Sequence, residues 1–268
     1  MMTLRCCFLF FALMLSVSSF ATPPYALPLS SFELHTDSLH AHVSLEHQID
    51  SLHQRLAQAS SDSLKFPLRL ALAELYIFHS FKHHDDDAFR QAELDKALIL
   101  IHDAQRYHKT PTSRALECAA LLERARFQPR SEAILTLDMC QKELADILRE
   151  NTLHPLALTL YGALGVELGK IPAVQRLFAS WFYRPIPTEP PIQRALLYLL
   201  QAKLLGQYRA FVYWKLGEAY MQVRNARDVV TSLRTCLELP EEYPYFDTYC
   251  KSQARLLLEQ YLAARKSR

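Results

Sequence analysis

From Ser38 to the C-terminus the apolar residues return at three- and four-residue steps, and no stretch alternates with period two for long enough to make a convincing strand. In "SLHAHVSLEHQIDSLHQRLAQA", Leu39, Val43, Ile49, Leu52 and Leu56 follow mostly these steps behind a Ser38 cap. The pattern continues through "PLRLALAELYIFHSF", "DAFRQAELDKALILIHDAQRYH", "SRALECAALLERARF", "SEAILTLDMCQKELADILREN" and "HPLALTLYGALGVELGK". It resumes in "PAVQRLFASWFY", "PIQRALLYLLQAKLL", "RAFVYWKLGEAYMQVR" and "ARDVVTSLRTCLEL", and closes in "TYCKSQARLLLEQYLAARK". About ten helices joined by short polar or proline-bearing turns are predicted, an all-α fold. The chain has only five glycines. Nucleotide-binding loops and tight hairpin turns both consume glycine, so mononucleotide-type and all-β folds lose ground together.

Consecutive helices with short connections form antiparallel hairpins, and stacked hairpins make a right-handed solenoid. In "YWKLGEAYMQVRNARDVVTSLRTCLELP", an aromatic (Tyr213), Leu216-Gly217 and then Tyr220 stand at the spacing of the first helix of a tetratricopeptide repeat (TPR). Gly217 would let a neighbouring helix approach closely, while Leu216 and Tyr220 fill the space beside it. "YGALGVEL" repeats the arrangement with Tyr161, Leu164, Gly165 and Leu168, and "LALAELY" is a weaker echo with Leu72, Ala73 and Tyr76. The irregular spacing of these echoes implies a degenerate TPR-like array. Residues 38–151 read as generic helical hairpins and 152–268 as the repeat-like part.

Over residues 154–260 the chain resembles the regulator of microtubule dynamics family. The likeness lies in a His-Pro start, an LG-bearing helix, an aromatic "LF" helix, a proline break, an "A…LQA" helix and a "CLELP" end. The resemblance implies a TPR-like fold and packing residues rather than an activity. In that family some members bind phospholipid in the TPR domain and others bind protein partners. A fainter similarity is to periplasmic TPR-like components that accompany tripartite transporters.

The first 21 residues, "MMTLRCCFLFFALMLSVSSFA", have the three parts of a secretory signal. Arg5 is the positive start, "CCFLFFALMLSV" the apolar core, and Ser19-Phe20-Ala21 the small-residue site, with cleavage expected between Ala21 and Thr22. The apolar run is shorter than the ~20 residues that span a bilayer. "TPPYALPLSSFELHT", within 22–37, reads as a proline-rich linker. The mature chain is expected to be exported, to a bacterial periplasm, without an integral membrane segment. Export makes contact with microtubules implausible. A formal charge of +2, well mixed along the chain, gives no reason to expect nucleic acid as a partner.

Four of the six cysteines lie beyond the signal: Cys118, Cys140, Cys236 and Cys250. The midpoint of Cys236 and Cys250 is residue 243, inside the "PEEYPY" turn, and that of Cys118 and Cys140 is Pro129, in the "FQPRS" turn. Residues equidistant from a hairpin turn sit at the same height, and offsets of 7 and 11 residues are near whole helical turns. In an oxidising compartment the expectation is two hairpin disulfides, 118–140 and 236–250, each contributing ~2–4 kcal/mol. Four small core residues and a zinc site are the alternatives; neither pair has close CxxC spacing.

"HHDDD" at 83–87 carries metal-like side chains, but adjacent residues on one loop rarely converge on one ion, and aspartates capping the next helix explain it better. No GxSxG, HExxH, Walker loop or GxGxxG occurs, so neither a catalytic residue, a metal nor a cofactor is assigned. In "RLFASWFYRPIP", Trp181, Phe182 and Tyr183 are consecutive and cannot all be buried on one side of a helix; Arg176 and Arg184 flank them. That segment is the candidate ligand or partner surface, with packing between helices as the alternative. The expected function is binding: a scaffold for a protein or peptide partner, or else a carrier of a lipid or other apolar ligand. A hydrolase without a recognisable motif comes third.

Overall fold

The computed structural model describes residues 44–182 and 185–266, with the backbone alone at 177, 178, 181, 182 and 266. The signal segment with Ala21 and Thr22, the linker at 22–37 and the Ser38 start lie outside the described residues. Within them the chain is all helical, without a strand. The eleven α-helices are α1 (Leu45–Gln58), α2 (Asp62–His79), α3 (Asp87–Gln105), α4 (Pro111–Arg124), α5 (Arg130–Glu150), α6 (Pro155–Gly169), α7 (Ala173–Phe182), α8 (Ile192–Leu205), α9 (Arg209–Gln222), α10 (Ala226–Glu238) and α11 (Phe246–Lys266). Among the described residues no helix is long and apolar enough to cross a membrane.

The helix starts are set by local chemistry. Ser44, Ser61, Asp86, Thr110 and Asn225 each accept a hydrogen bond from the backbone N–H three residues on, satisfying a donor that has no partner inside the helix. The α1 cap is Ser44. α2 begins at Asp62 behind the Ser61 cap rather than at Pro67, which sits inside it. Asp86 of "HHDDD" is the cap of α3, receiving the Phe89 N–H at 3.0 Å, and Asp87 lies in its first turn.

Each helix packs on its sequence neighbour, except that α8 replaces α7 against α6. A second set of contacts joins α2 to α4, α4 to α6, α6 to α9 and α9 to α11. Glycine permits two of the tightest approaches. A Cβ on Gly165 would lie 2.6 Å from the Ala195 Cβ and 2.7 Å from the Pro190 carbonyl oxygen, so α8 crosses α6 there almost backbone to backbone. A Cβ on Gly217 would lie 2.4 Å from Leu233 of α10. Leu216 is buried beside it, and Tyr213 and Tyr220 are half-buried; Leu164 and Leu168 are buried in α6, where Tyr161 meets the Tyr198 ring at 5.2 Å.

The two ends of this row meet. Phe78, at the end of α2, lies 4.8 Å from the Tyr243 ring, and Phe81 lies 5.1 Å from Phe246 and 5.2 Å from Tyr249 at the start of α11. Aromatic pairs at these separations add attraction beyond the area they bury. The apolar core runs unbroken from Leu45 to Leu258.

Candidate functional site

Two regions carry more polar chemistry than packing requires. The first is a buried set of charges where α3, α4, α6, α9 and α11 converge. Arg90 is 1% exposed, with its guanidinium between the rings of Phe81 (5.0 Å) and Phe127 (5.5 Å). It donates to Glu123 at 2.7 Å, and Arg126 reaches the same carboxylate oxygen at 3.4 Å. Burial pushes the Glu123 carboxyl above its ordinary range, opposed by Arg126 and Arg90. Lys215, also fully buried, donates to Glu167 at 2.5 Å and Glu218 at 2.8 Å, with its ammonium 3.8 Å from the Trp214 ring centre. Burial disfavours its charge, but the two carboxylates outweigh burial and raise its pKa. Lys170 closes the cluster on Glu167 and Glu218 from the surface.

This cluster was not anticipated from the sequence, though a signal exists. Arg90, Leu94, Ala97 and Ile101 fall on one stripe of α3, so the arginine occupies an apolar-face position. Lys215 and Glu218 interleave with the Leu216-Gly217 signature and are one turn apart. For ion pairs this deeply buried, the desolvation penalty offsets much of the Coulombic gain.

The second region is an open cavity of about 460 Å³ bounded by α6, α7, α9 and the proline-rich strap that leads into α8. Its walls are Gly165, Leu168 and Gly169 of α6, Arg176 of α7, Thr188, Pro190, Pro191 and Ile192, and Gln222 of α9. The α6 carbonyls are gathered here: Gln222 donates to Val166 at 2.8 Å, and Arg176 donates to Leu168, to Ile171 (3.2 Å) and to Pro187 (3.3 Å). Arg176 therefore ties the C-terminus of α6 to the strap, where a cation is favoured by the helix dipole. Of the expected aromatic–arginine surface, Arg176 alone has a described side chain. Trp181 and Phe182 are placed only as the last residues of α7, and Tyr183 and Arg184 lie outside the described residues.

The expected disulfides are not formed. Cys118, Cys140, Cys236 and Cys250 are all buried free thiols. Cys118 and Cys140 are nonetheless neighbours. The Cys118 sulfur lies 4.0 Å from the Cys140 carbonyl oxygen and the Cys140 sulfur 3.9 Å from that of Cys118, across α4 and α5. Cys236 instead turns its thiol to the Ala210 carbonyl at 3.1 Å, on α9. A backbone acceptor thus takes the place that a bonded sulfur would fill, and burial pushes the Cys236 thiol up to about 12.

Among the described residues no group of three His, Cys, Asp or Glu side chains could hold a metal ion. A carboxylate-oriented imidazole does occur: Glu93 lies 2.7 Å from His79 Nδ1. Its buried Nε2 faces the Glu46 carboxylate at 3.7 Å, a second acid rather than a nucleophile. No family model matches the chain, and no curated protein is detectably similar to it in sequence.

Proposed function

We propose that the chain is an exported TPR-like binding protein, a scaffold for a protein or peptide partner. The observation that carries this reading is the pattern of helix contacts. A row in which α2, α4, α6, α9 and α11 touch in turn is what a TPR-like reading expects, and stacked hairpins of this kind serve as binding surfaces. The exposed apolar side chains support it: Leu197 and Leu204 stand two turns apart on α8, 60% and 84% exposed, a surface suited to cover by another polypeptide. Export rests on the three-part N-terminal segment ending at Ala21.

A carrier of an apolar ligand is the second reading, and the cavity beside α7 favours it. The cavity is open, however, and Arg176, Thr188 and Gln222 face it with polar groups, whereas the interior of the helix row is filled by aromatic rings and ion pairs. Native mass spectrometry of the protein recovered from an exporting host separates the two. The expected spectrum is that of the bare polypeptide; a stoichiometric adduct that organic solvent removes would replace the scaffold by the carrier.

A further inference from the structure

We propose that the cavity bounded by α6, α7, α9 and the strap is a binding site for a carboxylate group; this rests on the binding-protein reading above and gives it a ligand chemistry. Its volume, about 460 Å³, is in the range of small-molecule sites. Among the described residues that line it, Arg176 alone is charged. A guanidinium has five N–H donors, and Arg176 commits three, one each to Leu168, Ile171 and Pro187. Its three partners are neutral carbonyls, and no carboxylate pairs with it among the described residues. Among the described residues, one N–H on each terminal nitrogen has no acceptor, and two such donors on a planar guanidinium suit the two oxygens of a carboxylate.

The remaining walls fit the same occupant. Leu168, Pro190, Pro191 and Ile192 are apolar and exclude water from one side, which strengthens an ion pair formed there. Thr188 adds a hydroxyl, and Gln222 keeps one amide N–H beyond the one given to Val166. Among the described lining residues there is no acid. With one cation among the described lining residues, a monoanion is matched better than a phosphate dianion. Because Arg176 is held from the α6 end, the α6–α7 turn and the strap, little side-chain freedom is left to lose on binding. Capping α6 alone would need only the bonds to Leu168 and Ile171; the bond to Pro187 fixes the guanidinium across the cavity.

The scarcity of glycine supplies the assay. With five glycines in the full chain, their amide resonances form a small, separate set; Gly165 and Gly169 line the cavity, while Gly206 and Gly217 do not. The probes are hexanoate, hexanamide, and an acetylated leucyl-alanine dipeptide as free acid and as amide. Both acids are expected to shift Gly165 and Gly169 saturably at millimolar concentration, leaving Gly206 and Gly217 in place, with the amides at least about tenfold weaker. Arg176→Gln should abolish the preference for acid over amide. If that variant does not fold, Thr188→Val in the cavity wall, expected to weaken both acids severalfold, and the acid–amide comparison in the native chain carry the test.

A dipeptide acid tighter than hexanoate identifies a polypeptide terminus as the source of the carboxylate, and the reverse order a free organic acid. Equal shifts from acids and amides, or none from any probe, overturn the site. That failure is distinct from failure of the scaffold, which the native mass spectrum decides by itself.

Discussion

The Tyr245 hydroxyl donates to Glu46 at 2.8 Å, across 199 residues of sequence. Glu46 lies in the first turn of α1 and Tyr245 in the turn before α11, so this bond latches the two ends of the helical row over the aromatic contacts of Phe78 and Phe81. Lys82, in the turn after α2, joins the same carboxylate and stacks its ammonium 5.7 Å from the Tyr245 ring. An open repeat array keeps its ends apart. Here the last helix is docked against the first hairpin, and the buried charges around Arg90 lie behind it.

The latch is acid-sensitive in a defined sense. The hydrogen bond from Lys82, opposed by burial and helped by Glu46's own backbone N–H and then by Tyr245, holds Glu46 at about 2 against an ordinary 4.5. A depressed carboxyl pKa contributes stability that is present above the ordinary value and lost as pH falls towards the folded one. Glu46→Gln is expected to cost about 1 kcal/mol at pH 7, a figure kept small because the pair is about a third exposed. Urea titrations should show the difference from the parent shrinking as pH is lowered from 4.5 towards 2. A difference that does not vary with pH would remove the ionic part of the latch.

Arg90 and Glu123 behave differently because neither reaches water. Glu123→Gln leaves the guanidinium buried without its counter-charge and is expected to cost about 3–5 kcal/mol, whereas Arg90→Met leaves the carboxylate with Arg126 alone, at 3.4 Å, and is expected to cost less. The double variant Arg90→Met, Glu123→Leu should recover most of that loss, because a well-packed apolar pair removes both desolvation penalties. Stability that falls additively in the double variant would show that the pair is not coupled.

Helical periodicity made the fold class legible because a 3.6-residue repeat of apolar side chains survives any arrangement of the helices. The close approach at Gly165 and Gly217 was legible for a similar reason: a glycine inside a strong helix costs stability and needs a neighbour to explain it. Helix starts were less so. α1 is described from Leu45 behind a Ser44 cap, a serine inside the stretch that the periodicity treats as continuous helix. The latch was not legible at all, since nothing local in "PEEYPYFD" points to a partner in α1. The cysteine spacing pointed to two disulfides; Cys118 and Cys140 are near each other but unbonded, because side-chain direction is fixed by rotamer and backbone acceptors, which the spacing does not contain. Arg176 was singled out for a ligand, and its three carbonyl partners depend on where the strap returns.

His154 caps α6 with Nδ1, which accepts the Ala157 N–H at 3.3 Å, so the ring must stay neutral there. Burial lowers its pKa from 6.5 to about 4. The neutral form contributes stability that is present above pH 6.5 and is lost as pH falls to about 4, a swing of about 3 kcal/mol. Asparagine is a good cap and carries no such titration. Between pH 7 and 4, His154→Asn should therefore lose about 3 kcal/mol less than the parent in thermal or urea unfolding; parallel losses would place the acid sensitivity elsewhere.

Asp247 has the opposite sign. Its carboxylate accepts the Glu242 N–H at 2.7 Å and the Tyr243 N–H at 2.9 Å, fixing the turn that carries Tyr245, yet burial outweighs these bonds and raises its pKa from 3.8 to about 6. A raised carboxyl contributes stability that is complete below 3.8 and lost as pH rises through about 6. Asp247→Asn keeps an acceptor oxygen without the buried charge. Relative to the parent, it should gain about 3 kcal/mol between pH 3.5 and 8, whatever its absolute stability. A relative loss over that interval would mean that the charge strengthens the two backbone bonds more than burial weakens it.

The four buried thiols connect the fold to the compartment. In the structure each is closed off from solvent, and burial holds Cys250 and Cys236 well above the ordinary thiol range, while Cys118 is raised first by its contact with Cys140 and then by burial. Thiolate-directed reagents need the deprotonated form and access to it. Ellman's reagent is expected to label these four only as fast as the chain opens, with a rate that rises with urea and hardly with pH between 7 and 9. Rapid labelling without denaturant would contradict the burial. Alkylation in denaturant without reductant, on protein recovered from an exporting host, then tests the geometry of the pairs. Four alkylated thiols match the turn of Cys236 towards Ala210. A product lighter by two hydrogens, with 236 and 250 unlabelled, would mean that in an oxidising compartment the thiol leaves that carbonyl and the hairpin closes covalently.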